Sequence, residues 1–303
     1  FPLPDSPAMQ AVSPLRTCMQ KPEKSTSSPK AIHALFICSI YVLIISLFGK
    51  GRKNMKATNL RVEYMTNPIG IDYVCPRFSW IFEQGTKQTA YQIIAKDDLG
   101  NLLWDSGKVV SEQMHLIPWG ADDLTSRARV IWCVTIWDDN DIPETSEEAY
   151  FEIGLLHGSD WKAKWITGDY VPKKKERYPV DCFKKSFCVT GDKKIKKARA
   201  YMSACGVYEG KINGKKIGEF VLAPGITDYR KRVQYQTVDV TSLLATGDNE
   251  LSFMLADGWY RGSVGAWGMK NYYGSETKLL AQLEITYEDG SMDVVATDDR
   301  FVW

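Results

Sequence analysis

The sequence predicts an all-β chain, two β-sandwiches in tandem behind a leader of different character, and three observations carry that reading. Residues 129–137 alternate strictly, with Val130, Trp132, Val134 and Ile136 set against Ile131, Cys133, Thr135 and Trp137, the period of a half-buried strand. Short apolar runs recur at roughly 8–15-residue intervals between Gly-, Asn- and Asp-containing turns, the spacing of a sandwich. Beyond the leader, no stretch carries a convincing helical apolar period.

The bulk composition agrees with a folded globular chain. Its 303 residues suffice for two domains of ordinary size, with 44% hydrophobic and 25% charged residues. A net charge of +1 gives no electrostatic case for nucleic acid as a partner. Seven cysteines, an odd number without tight regular spacing, do not form a disulfide framework in a chain this long. There is no Cys-x-x-Cys and the three histidines (33, 115 and 157) stand far apart, so no metal site is expected and no cofactor is called for. No Asn-x-Ser/Thr sequon is present.

Residues 1–55 form the leader. The first 30 are rich in Pro, Ser and Lys, without apolar periodicity, and read as disordered or as outside the native product. Ala34–Phe48 is uncharged and apolar but shorter than the roughly 20 residues that span a bilayer. It reads as a signal-peptide apolar region, as a membrane anchor flanked by Lys50, Arg52 and Lys53, or as sequence upstream of a native start at Met55. A start at Met55 makes the protein cytoplasmic; a native leader makes it extracytoplasmic or membrane-anchored, and only then is a membrane a partner.

Residues 56–154 read as a first sandwich. Strands are expected at Asn59–Tyr64, Arg77–Phe82, Ala90–Lys96, Leu102–Ser106, His115–Trp119, Arg129–Trp137 and Ala149–Ile153. Seven strands in about 95 residues fit an immunoglobulin-like or fibronectin-III-like sandwich, and the lack of a Cys-Trp-Cys arrangement favours the fibronectin-like version. Gly154–Trp161 is a hinge. Residues 155–303 read as a second, jelly-roll-like sandwich, with strands at Cys182–Val189, Lys197–Gly206, Val207–Ile212, Arg232–Val238, Leu251–Ala256, Lys278–Tyr287, Met292–Thr297 and Arg300–Trp303. Asn213-Gly214 marks a tight hairpin, because both central residues of that turn take positive φ. The charge run 173–177 reads as a solvated loop. The chain lacks an initial Met and stops inside an expected strand, so both ends read as cuts in a longer protein. A sandwich truncated at that point exposes an edge and part of its core, which predicts poor solubility.

Several phrases go further than pattern. Ala204-Cys205-Gly206-Val207-Tyr208-Glu209, Ile212–Gly218, Leu222-Ala223-Pro224-Gly225, Thr227–Arg232, Tyr235–Thr241 and Asp257-Gly258-Trp259-Tyr260-Arg261-Gly262 stand in this order. Upstream lie Asn67–Asp72, Pro76–Trp80 and Trp104–Val109, and Trp161–Ile166 opens the second module. These closely resemble the N-terminal β-sandwich modules of bacterial α-L-rhamnosidases, glycoside hydrolase family 78, over about 240 of the 303 residues. Cys205 and Gly210 depart from the resemblance, standing where a larger residue is expected.

The resemblance implies hydrolysis of terminal α-L-rhamnosides with inversion, by two carboxyl groups roughly 6.5–9.5 Å apart. In the family these belong to an (α/α)6 barrel that follows the β modules. No helix-rich segment is present here, so no catalytic residue is assigned and the chain alone is expected to be inactive. Its partners would be rhamnose-containing glycosides and that barrel. Asp228, Asp239 and Asp257 stand beside turns, where Asp bonds the local backbone. The loop 257–274 is the better candidate. Trp259, Tyr260, Trp267, Tyr272 and Tyr273, joined by Tyr229, offer flat faces for sugars, and Arg230 or Arg261 offers donors for hydroxyls. The competing reading packs these aromatics against the barrel. A free-standing, membrane-anchored carbohydrate-binding or adhesion protein is the alternative from another class.

Overall fold

The computed structural model describes residues 55–173 and 178–303. The expectations for the apolar leader and for residues 174–177 lie outside them. Among the described residues no helix is long and apolar enough to cross a membrane.

The first sandwich is built from β1 (Lys56–Val62), β2 (Ile69–Ile71), β3 (Arg77–Glu83), β4 (Ala90–Lys96), β5 (Leu102–Asp105), β6 (Val109–Val110), β7 (Ile117–Pro118), β8 (Arg129–Trp137), β9 (Pro143–Thr145) and β10 (Ala149–Ile153). One sheet has the order β1-β3-β7; the other runs β2-β10-β8-β4-β5, with β6 on β4 and β9 on β8. The alternation of β8 is realised in full: Val130, Trp132, Val134 and Ile136 are buried and their neighbours half-buried. Phe78 of β3 meets Trp132 edge-on at 4.7 Å and lies within 6.2 Å of Trp104, Trp119 and Phe151, a mixed aromatic core between the sheets. Ser79 is buried as well, because its hydroxyl accepts the Leu116 N–H at 3.0 Å. That hydrogen bond is what allows the polar group inside.

The second sandwich contains β11 (Asp181–Val189), β12 (Ile195–Cys205), β13 (Val207–Ile212), β14 (Lys215–Lys216), β15 (Gln236–Asp239), β16 (Gly247–Ala256), β17 (Ser263–Val264), β18 (Met269–Lys270), β19 (Lys278–Tyr287) and β20 (Met292–Ala296). Its sheets have the orders β11-β16-β13-β14 and β15-β12-β19-β20, and β17-β18 is a separate ribbon. Asn213 (φ 52°) and Gly214 (φ 77°) make the β13–β14 hairpin turn. Only residues 236–239 of the alternating run that begins at Arg232 pair in the sheet. Thr227 Oγ1, donating to Arg232 O at 2.5 Å, ties the start of that run into the preceding loop. Residues 300–303 form a single bridge, Val302 to Lys184, rather than a strand.

Strands β12 and β19 are buried on both faces over most of their length. Ala198, Ala200, Met202, Leu279, Ala281, Leu283 and Ile285 pack into their own core. The opposite face meets the first sandwich through reciprocal ion pairs. Arg199 grips Glu152 with two bonds (2.8 and 2.7 Å), and Arg127 grips Glu284 likewise (2.8 and 2.7 Å). Arg127 also reaches Asp160 at 3.0 Å. Bidentate guanidinium–carboxylate pairs fix orientation as well as proximity. Gly154 lies under Tyr235, where a Cβ would come within 2.1 Å of the hydroxyl oxygen.

Candidate functional site around the 257–275 loop

Strand β16 delivers the chain to Asp257 and a four-residue helix, α1 (Gly258–Arg261). Gly258 takes φ 51°, and a Cβ there would lie 2.9 Å from the backbone of Gly206 and Val207, so only glycine lets the helix sit this close to β13. The β17–β18 ribbon follows, and the Asn271 N–H returns to Arg261 O at 3.0 Å. The loop is therefore pinned at both ends of α1.

The sequence-predicted residues divide into two groups. Tyr229, Arg230, Tyr260 and Tyr272 come together with Tyr273 as a fifth member. The ring of Tyr229 lies 5.3 Å from Tyr260 and 5.0 Å from Tyr273, and Tyr272 meets Tyr273 edge-on at 4.8 Å. The Arg230 guanidinium sits over Tyr272 (5.1 Å) and Tyr273 (5.6 Å) and reaches the Tyr272 hydroxyl at 3.3 Å. Asp228 holds it from below at 3.0 Å, and this arginine contact, first among its causes, lowers the Asp228 pKa. Burial pushes the Tyr229 phenol up to about 12, with Cys205 and Tyr273 adding to the effect. The phenol stays a donor, spent on the Gly225 carbonyl at 2.8 Å. Tyr272 remains 42% exposed, so its face is open to a ligand.

Arg261 belongs elsewhere. Its neighbour Tyr260 joins the tyrosines, whereas Arg261 is buried against Tyr170 and Tyr178, whose ring centroids lie 5.7 and 5.3 Å from its guanidinium carbon. Nε donates to Asp257 Oδ1 (2.7 Å) and Nη1 to the Tyr170 hydroxyl (2.8 Å). Burial opposes its charge, but Tyr170 and Asp257 outweigh that and raise its pKa. Tyr170 in turn donates to the buried carboxylate of Asp181, which also accepts from Thr277 and from the Trp303 indole. Beside Arg261 lies a cavity of about 330 Å³ bordered by Asp257, Ser263, Lys270, Asn271 and Ser275. Trp267 stands at the ribbon tip, 90% exposed and apart from both groups. Trp259 is half-buried on α1.

Tyr170, Tyr178, Asp181 and Trp303 were not legible as site residues. They lie about 80–90 positions before Arg261 or some 40 after it, and nothing in their local sequence marks them. The arrangement offers ring faces, cationic donors and hydroxyls. Of its carboxylates, Asp228 and Asp257 are paired with arginine, and Asp181 accepts from Tyr170, Thr277 and Trp303.

The comparisons with known proteins match this architecture. Residues 193–303 match the family described as "Alpha-L-rhamnosidase N-terminal domain", and residues 57–157 match "Rha78A-like, N-terminal immunoglobulin domain". An α-L-rhamnosidase of Alteromonas sp. (strain LOR) is 36% identical over 266 residues, covering 82% of this chain and 29% of that protein. One from Formosa agariphila is 37% identical over 259 residues, covering 79% and 27%. Among solved structures, the α-L-rhamnosidase of Aspergillus terreus superposes with a TM-score of 0.76 at 30% identity, over 82% of this chain and 29% of that one. The chain thus spans less than a third of the length of these relatives.

Proposed function

The chain belongs to the α-L-rhamnosidase family through its two N-terminal domains, and from that premise we infer that it serves as the non-catalytic N-terminal part of an enzyme hydrolysing terminal α-L-rhamnosides. In this reading the paired sandwiches are a rigid scaffold, and the loop 257–275 is the surface that contacts carbohydrate next to the catalytic part of the enzyme. The observation that carries it is the Arg230–Tyr272–Tyr273 stack: a cation set over the rings of two tyrosines, one of them with an open face. Rings of this kind stack on the apolar face of a sugar, while the guanidinium and phenols bond its hydroxyls. The carboxylates nearby support a non-catalytic role. An inverting hydrolase needs one carboxyl free to protonate and another free to activate water, and Asp228 and Asp257 are each engaged by an arginine.

The test is a titration of the purified 303-residue chain with L-rhamnose, followed by intrinsic fluorescence, beside a p-nitrophenyl α-L-rhamnoside assay. Saturable binding that weakens in Tyr272→Ala, with no turnover, is the expected result. Turnover by the purified chain would overturn the non-catalytic assignment. Absence of binding would remove the sugar contact and leave the scaffold alone.

A further inference from the structure

The tyrosine cluster and the cavity beside Arg261 share one stretch of chain. Lys270, Asn271 and Ser275 line the cavity, whereas Tyr272 and Tyr273, between them, join the Arg230 stack. Gly274 makes this possible: it lies so close to the Tyr260 ring that a Cβ would approach within 2.5 Å. A ligand resting on the open Tyr272 face therefore has the cavity beside it.

The cavity itself is built around a fixed charge. Arg261 is 5% exposed and held by Asp257 and by Tyr170, which is anchored in turn on Asp181. Its Nη2 is buried and makes no hydrogen bond, although Asp257 Oδ1 lies 2.7 Å away. A guanidinium has five N–H donors and no acceptor, so a spare buried donor asks for an acceptor from outside. Among the described lining residues Asp257 is the one carboxylate, and it is already paired with Arg261. The wall carries the Lys173 and Lys270 side chains, with the Asn271 amide and the Ser263 and Ser275 hydroxyls as neutral partners. Among the described residues a cation finds no free carboxylate here, and an apolar group would strand these donors. An oxyanion satisfies them.

The geometry points to this cavity as a binding site for the carboxylate or sulfate group of an acidic saccharide. The saccharide part of the assignment rests on the carbohydrate-contacting reading of the tyrosine cluster; the anion part does not. Isothermal titration of the 303-residue chain with sodium D-glucuronate, a D-glucose sulfate monoester, neutral D-glucose and inorganic sulfate tests it. The charged sugars are expected to bind roughly tenfold more tightly than glucose at low salt, an advantage that shrinks as salt is raised. Arg261→Lys should lower that advantage. Because a buried arginine also supports the fold, the deciding variant is Lys270→Ala, whose exposed side chain can be removed without disturbing a core. It should abolish the advantage. The stronger of the two charged sugars identifies carboxylate or sulfate. Inorganic sulfate binding as tightly, with the same Lys270 dependence, would support the anion site and overturn its saccharide part. Equal affinity for glucose and glucuronate, or an advantage unchanged in Lys270→Ala, would overturn the proposal. Loss of L-rhamnose binding with the Lys270-dependent anion advantage intact would sink only the tyrosine reading.

Discussion

A methyl group on Gly210 would sit 2.7 Å from the Phe253 ring and 3.3 Å from Ile217. Gly210 is one of the two positions where the resemblance leads to a larger side chain, and the structure gives the reason for the departure. Phe253 of the adjacent strand β16, directly opposite Gly210 in the ladder, occupies the space. The partner's volume thus dictates the residue. Gly210→Ala is expected to destabilise the chain by about 1–3 kcal/mol through overpacking, read as a lower urea midpoint at unchanged slope. A midpoint equal to that of the parent chain would show that Phe253 swings aside freely. Cys205, the other departure, is buried with Tyr260 beside it. Neither relationship can be read from a single chain, because each is set by a residue more than 40 positions away.

At the scale of elements, β12 and β19 were expected as strands, and the structure adds what covers their two faces. Arg199, Gln282 and Glu284 alternate with apolar residues, which in a lone sandwich marks a solvent face. Here that face is covered, and its charges are matched across the junction. The side chains of Arg199 and Glu152 are 7% and 5% exposed. Glu152 keeps Arg129 as a second partner, so Arg199→Ala should cost less than the about 3–5 kcal/mol of a fully stranded buried charge, and replacing both by Met should cost less still. A double-mutant comparison of unfolding free energies checks this; equal losses in the two variants would mean that the pair is not desolvated. Acid should loosen the same junction. Burial alone would raise the Asp160 pKa, but the Ser126 hydroxyl, the His157 N–H and Arg127 together hold it at about 2, against 3.8 for an ordinary Asp. A carboxyl depressed on folding stabilises the folded state above its unfolded pKa, and that contribution fades as pH falls from about 4 towards 2. Thermal midpoints measured across that window should drop less steeply in Asp160→Asn than in the parent. Parallel slopes would remove Asp160 from the acid response.

At the scale of the whole molecule, the reciprocal clamps are expected to couple the two sandwiches. Each sandwich contributes one arginine and accepts one in return. The expected consequence is a single unfolding transition for the described domains, resolved into two in Arg127→Ala/Arg199→Ala. A parent chain that already melts in two steps would show that the junction is too weak to couple them. The same rigidity bears on the proposed role, since a scaffold presents the 257–275 loop in a constant position only if its modules do not swing against each other.

What the sequence determined by itself was local. The all-β class, the limits of β4, β8, β10, β13 and β19, the Asn213-Gly214 turn and the aromatic character of the 257–274 loop all follow from period-two alternation, turn chemistry and local composition. Both depend only on near neighbours along the chain, and so did the phrases that carried the family resemblance. What only the tertiary structure decided was the partnering of residues far apart. It set Tyr229 and Arg230 against Tyr272 and Tyr273, turned Arg261 away from them towards Tyr170 and Tyr178, left Trp267 in solvent, and buried the charged face of β12 and β19. A polar or aromatic side chain reads the same in sequence whether it meets water, a ligand or another domain. The difference lies in desolvation and in the partner that repays it, and those exist only once the sheets have packed.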